Sequence, residues 1–202
     1  MKRIIAVFGV FLVFVLAHGC GSSDYHPDAM SLQREAMKVY KRKPDSALSV
    51  LDKAIAIDPS YHLLYNTKAM VYQRKGEYDR AVAELHKSLR WNDTQPEVHL
   101  QIGMLYDISA RPEKAGDAYN RALALFDVRL AEGSDNEADD RVNRAVNLIL
   151  MGRETDGNAA LDALANTYPD HPLIQGLFAR KRASAANSIT REFCLNELVV
   201  KP

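Results

Sequence analysis

Few side chains in this sequence are placed to do chemistry, and Cys20 has the most specific setting. It ends the stretch "MKRIIAVFGVFLVFVLAHGC", after a 14-residue run from Ile4 to Ala17 without a charge. A thiol there can be acylated or can pair with a second thiol. The other cysteine, Cys194, lies near the far end. With Cys20 acylated, Cys194 has no partner in the chain and reads as a small buried apolar residue, with pairing to another molecule the alternative. His62, His86, His99 and His171 are scattered without ligand spacing, so no metal site is expected. There is no GxSxG nucleophile elbow, no HExxH helix and no glycine-rich phosphate loop. Asp139 and Asp140 suit the first turn of a helix, and "NDT" at Asn92 reads as a turn. The chain is therefore expected to be no enzyme, with no cofactor and no small-molecule substrate.

The element that positions Cys20 is short. A 14-residue helix reaches about 21 Å, against roughly 30 Å for the apolar core of a bilayer. With Lys2 and Arg3 in front and small residues behind, residues 1–19 read as a secretory signal peptide rather than a span. The boundary resembles the lipobox of bacterial lipoproteins, in which cleavage leaves a lipidated cysteine as the first residue. Gly19 fits that pattern; Ala17 stands where Leu is usual and His18 where a small residue is usual. The resemblance implies lipidation at Cys20 and a membrane tether over residues 20–28. Gly21 after the cysteine implies the periplasmic face of the bacterial outer membrane. Ordinary cleavage, releasing a soluble periplasmic protein, is the alternative.

Composition bounds the rest. The chain has 202 residues, 47% hydrophobic and 26% charged, which suits a folded protein. Its 26 basic and 26 acidic residues cancel, leaving no electrostatic reason to expect a nucleic-acid partner. Glycine and proline are few and helix-favouring residues abundant, so helix is expected throughout.

The helices repeat. Ala47, Ala81 and Ala115 are 34 residues apart, as are Leu51, Leu85 and Tyr119, and Ala54, Ser88 and Ala122. Ala69 and Gly103 keep the same spacing, as do Tyr72 and Tyr106. With Tyr65, Gly76 and Tyr78 in phase, "YNTKAMVYQRKGEYDRAVAELHKSL" resembles the tetratricopeptide repeat (TPR), a helix–turn–helix unit of that length. The resemblance implies an all-α fold, a right-handed α-solenoid of helix–turn–helix repeats with a C-terminal capping helix. It covers about four repeats over residues 29–187. The first is one residue short in its turn. The fourth is displaced by about eight extra residues around "RLAEGSDNEADD", which lengthen the third unit's second helix and its loop. Residues 172–186 read as the closing helix, its charged residues facing water. Residues 188–202 form an apolar tail with Phe193, Leu195, Leu198, Val199 and Val200.

In the family, fixed positions of each first helix line a concave groove. Carried onto this sequence, they are Met30, Gln33, Met37, Tyr40 and Lys41; Leu63, Asn66, Met70, Gln73 and Arg74; and Glu97, Leu100, Met104, Asp107 and Ile108. Met37, Met70 and Met104 recur at one position. Methionines in a row form a soft surface that adapts to irregular apolar side chains, although such a stripe also packs between helices. The family's clamp for a terminal carboxylate, made of Lys and Asn, is missing, with Met where it uses Asn. The fourth unit's groove face, Val142, Val146, Ile149 and Leu150, is apolar enough to require a cover: the closing helix, a partner, or the tail. The expected function is an adaptor for a protein partner in the cell envelope, similar to the pilotin-type lipoproteins that assist assembly of a pilus or secretion apparatus. An immunity lipoprotein that neutralises a secreted toxin is the alternative. Oligomeric state is left open.

Overall fold

Proline sets where several helices begin. Pro27, Pro44, Pro96, Pro112 and Pro172 each sit in a first helical turn, where the fixed φ suits the helix and the missing N–H has no intrahelical partner to lose. The computed structural model describes residues 25–184 and 188–198. The expected signal peptide over residues 1–19, Cys20, Val199 and Val200 lie outside the described residues. The described chain is built from α1 (Pro27–Val39), α2 (Pro44–Ile57), α3 (His62–Arg74), α4 (Tyr78–Leu89), α5 (Pro96–Ile108), α6 (Pro112–Glu132), α7 (Glu137–Leu150), α8 (Glu154–Thr167) and α9 (Pro172–Ala183). A last turn, α10 (Arg191–Phe193), continues as a π-helical turn over Cys194–Leu198. The long helices pack as successive hairpins, α1 on α2, α3 on α4, α5 on α6 and α7 on α8, and α9 closes the stack against α8.

The 34-residue period is a packing period. Ala47, Ala81, Ala115, Leu51, Leu85, Tyr119, Ala54, Ser88 and Ala122 are all at most 2% exposed. Small residues let the paired helices approach. A Cβ added at Gly103 would lie 2.5 Å from Cδ1 of Tyr119, and one at Gly157 would lie 2.6 Å from the Ala145 carbonyl oxygen. Neither position has room for a methyl group.

Three of the four hairpin turns close in the same way. The second residue past the first helix is left-handed at Gly76 (φ 74°), Ala110 (φ 57°) and Gly152 (φ 82°). Each donates its N–H to the carbonyl three residues back, on Gln73, Asp107 and Ile149 respectively. The next N–H reaches five residues back, to Tyr72, Tyr106 and Leu148, so all three are Schellman closures. The first unit, one residue shorter, closes without a left-handed residue: Arg42 and Lys43 both donate to the Val39 carbonyl.

Two departures from regular repeats matter later. First, α6 runs for 21 residues, and its extension is held by Arg129, which pairs with Glu97 on α5 and with Asp140 on α7 at 2.5 Å. Asp140, 3% exposed, also accepts from Ser134 at 2.5 Å, so this first-turn acid is fastened rather than solvated. Second, not every charge of α9 faces water as expected. Lys181 is 6% exposed; its ammonium meets Asp162 at 2.5 Å and lies over the Phe178 ring, so the stem is buried and the charge is paired.

Candidate protein-binding groove

The first helices of the four units, α1, α3, α5 and α7, form one wall, with direct contacts between α1 and α3 and between α5 and α7. Polar rungs join neighbouring units. Gln33 donates to the Leu63 carbonyl at 3.2 Å and to Thr67 Oγ1 at 2.9 Å. Asn66 donates to Gln95 Oε1 at 3.3 Å, and Gln101 donates to Gln73 Oε1 at 2.9 Å. Asn66 and Gln73, expected to line an open groove, are thus buried and tie adjacent units together. Tyr40 is buried as well. Burial pushes its hydroxyl above the usual range, against the opposing pull of the Arg74 charge. Of the groove positions in the first two units, Met37 is 40% exposed, Lys41 is exposed, and Met30, Gln33, Leu63, Met70 and Arg74 are half-buried.

The third and fourth units differ, because residues 188–198 return across them. The π-helical turn touches both α5 and α7. Ile189 and Cys194, at most 1% exposed, belong to one apolar cluster with Leu100, Met104, Val142, Val146, Ile149 and Leu150. Leu100 and Met104, expected on an open surface, are therefore core residues, and the methionine row is divided: Met37 and Met70 reach solvent, Met104 does not. Glu97 is engaged by Arg129, and Ile108 packs half-buried against the same cluster. The Asp107 carboxylate, almost fully enclosed, accepts from the Tyr119 hydroxyl at 2.7 Å and from Arg191 of the tail at 2.6 Å. Of the covers that the fourth unit's apolar face could have, the structure supplies the tail.

The tail is held at defined points. Asn158 donates to the Ile189 carbonyl and accepts from the Ile189 N–H, both at 2.8 Å. Glu154 accepts the Arg191 N–H at 2.8 Å, and the Arg191 Nε donates to the Leu150 carbonyl at 2.7 Å. Thr190 caps the short turn by accepting from Phe193 N. Burial, followed by the nearby Glu154 charge, pushes the Cys194 thiol up to about 12, so it is a poor nucleophile. Burial and its bond to Asp107 likewise raise Tyr119. Glu154, Asn158 and Arg191 escaped sequence reasoning because none occupies a groove position of the repeat. The only signal toward them was the apolar face that needed covering.

Among the described residues, no group of three or more His, Cys, Asp or Glu side chains could hold a metal ion. An open depression of about 590 Å³ lies between α6, α7 and α8, with Arg141 and Arg144 on its wall, away from the groove positions. The tetratricopeptide repeat model matches residues 39–102. The crystal structure of PilW, a widely conserved type IV pilus biogenesis factor, superposes with a TM-score of 0.57 at 18% identity, covering 80% of this chain and 72% of that one. The fold is a tetratricopeptide-repeat solenoid. The structure of Pseudomonas aeruginosa pilF agrees, with a TM-score of 0.55 at 17% identity over 82% of this chain and 73% of that one. Among curated proteins, the solenoid is 27% identical over 86 residues to F-box/TPR repeat protein pof3 of Schizosaccharomyces pombe, 42% of this chain and 15% of that protein. It is 28% identical over 111 residues to human RANBP2-like and GRIP domain-containing protein 1, 54% of this chain and 6% of that protein. The tetratricopeptide segment thus spans a small fraction of those relatives' length.

Proposed function

We propose that the chain is a non-enzymatic adaptor that holds an apolar or amphipathic segment of a protein partner against the first helices of its first two units. One observation carries this. Met37 and Met70 keep accessible surface on adjacent helices beside Leu63 and Arg74, while Gln33, Asn66 and Gln73 are engaged in hydrogen bonds between units and Leu100, Met104 and Asp107 lie in the cluster that the tail joins. Methionine side chains adapt to irregular apolar partners, and Arg74 offers a cation at the rim. We place this adaptor on the periplasmic face of the bacterial outer membrane, lipidated at Cys20, with a partner in an envelope assembly such as a pilus or secretion apparatus. The composition of residues 1–20 supports the location, and the likeness in fold to a pilus biogenesis factor supports the class of partner.

The described end of the chain suits such a tether. Tyr25 stacks on Tyr61 with ring centroids 4.2 Å apart, and its hydroxyl lies 2.8 Å from Nδ1 of His62. His26 donates its N–H to Asp58 at 2.9 Å. The start of α1 is thereby pinned, and five residues from Cys20 to Tyr25 reach about 17 Å at most, which holds the repeats close to a membrane. A photo-crosslinker at Met37 or Met70 is expected to trap one envelope partner that a crosslinker at exposed Val128 does not. With the crosslinker at Met70, Met37→Asp should abolish the adduct with unchanged melting, since Met37 is 40% exposed; an adduct that persists rejects the groove reading. Mass spectrometry of the mature N-terminus tests the anchor, and an unmodified Cys20 returns the protein to solution.

A further inference from the structure

Resting on the reading of the chain as an adaptor, the geometry points to a second, self-occupied peptide site. We propose that the seat formed by Asp107, Glu154, Asn158, the Leu150 carbonyl and the apolar wall of α5 and α7 binds a segment with an apolar residue two positions before an Arg or Lys and a small apolar residue three positions after it. Residues 189–194 are its resident ligand, and a partner segment of that chemistry displaces them.

Three observations carry this. The grip is directed at backbone: Asn158 takes both the N–H and the C=O of Ile189, and Glu154 takes the N–H of Arg191, each at 2.8 Å. Side chains that bond main-chain groups hold a ligand's backbone whatever its sequence, which is how grooves hold peptides. The choice of ligand comes from three side chains. Ile189 and Cys194 fill apolar space at 1% and 0% exposure, and the Arg191 guanidinium bridges Asp107 at 2.6 Å and the Leu150 carbonyl at 2.7 Å. The cation meets the carboxylate and the last carbonyl of α7, where positive charge is favoured. The third observation is that the resident is weakly structured by itself. Its α-helical turn has three residues and passes into π geometry, and the Arg191 side chain is 41% exposed. Replacing it disrupts no long helix. A tethered ligand competes at an effective concentration of the order of mM, so the free chain hides this site from weak binders and opens it to strong ones.

The test uses the full mature chain and a fluorescein-labelled synthetic peptide of residues 188–198 under reductant, read by anisotropy. Arg191→Ala weakens the resident tail, and the peptide should then bind about tenfold tighter than to the wild type. Adding Asn158→Ala or Asp107→Asn should remove that binding. In the wild type, excess unlabelled peptide should speed amide exchange over residues 189–195 while α5 and α7 keep their protection. Equal or absent binding to the tail variant with native melting overturns the proposal. So does loss of cooperative melting on Arg191→Ala, which makes the tail a fixed part of the core. A doubled mass in sedimentation without peptide binding also overturns it, in favour of tail exchange between two copies. The assay contains no envelope partner and leaves Met37 and Met70 untouched, so its failure and a failed capture at Met70 are separate results.

Discussion

Ala110 occupies a backbone conformation that glycine fills in the neighbouring units, and replacing it should stabilise the protein. Gly76, Ala110 and Gly152 close equivalent turns with φ of 74°, 57° and 82° and the same two hydrogen bonds. A left-handed L-residue costs about 1–2 kcal/mol. Glycine's extra freedom in the unfolded chain returns about 0.5–1 kcal/mol of that. Ala110 is exposed, so its methyl contributes no packing that the substitution would remove. Ala110→Gly is therefore expected to gain about 0.5–1 kcal/mol, which in a domain of this size raises Tm by about 1–4 °C. The reciprocal control is Gly152→Ala, because a Cβ there meets nothing within 4 Å and tests backbone strain alone. It should lose about 1 kcal/mol. Thermal unfolding followed by circular dichroism at pH 7 reads both variants. A Tm that is unchanged or lower for Ala110→Gly, with Gly152→Ala neutral, would refute the reasoning and assign these turns to their hydrogen bonds rather than to backbone conformation.

Other perturbations separate surface from core. Met104→Asp, at a site 3% exposed, should cost more than about 3 kcal/mol in a urea titration, whereas Met37→Asp, at a site 40% exposed, should change stability by less than about 0.5 kcal/mol. Gly103→Ala drives a methyl into the Tyr119 ring and should lose about 1–3 kcal/mol by the same measurement. Stability should also fall on both sides of neutrality. Burial holds His62 and His99 below the usual histidine range, so their contribution is present above about pH 6.5 and is lost as pH falls through the lowered folded values. Burial raises Cys194 to about 12 and raises Tyr119, so their contribution is full below about pH 8.5 and is lost as pH rises toward 12. Urea midpoints between about pH 4 and 11 should trace a dome; a plateau continuing above pH 10 would contradict the buried-thiol assignment.

The repeat was legible because its physics is local. Ala81, Leu85 and Ser88 recur at helical spacing on one face of α4, and any chain that pairs such helices must place small residues where they touch. Pro96 and Pro112 mark helix starts, and Gly76 marks a turn, for reasons contained within a few residues. The extra residues before α7 were likewise visible as a phase shift. The closing helix was visible too, although not the burial of Lys181, which depends on finding Asp162 across the gap to α8.

The groove was only half legible. Register alone puts Met37, Met70 and Met104 on equivalent positions, and nothing within one repeat distinguishes them. Their difference arises from a return of the chain: Arg191 bonds to Asp107, 84 residues away, and draws Ile189 and Cys194 over α5 and α7. The apolar fourth unit announced that a cover was required, since exposed apolar surface is costly in water. It did not say which segment would supply the cover. The sequence by itself determined the solenoid, its period and the location of its turns, because those follow from contacts between residues close in the chain and repeated along it. Only the tertiary structure decided which part of the concave wall is open, because long-range contacts carry no period, and Glu154 and Asn158 at non-groove positions of α8, with Arg191 beyond the repeats, settle where the tail lies.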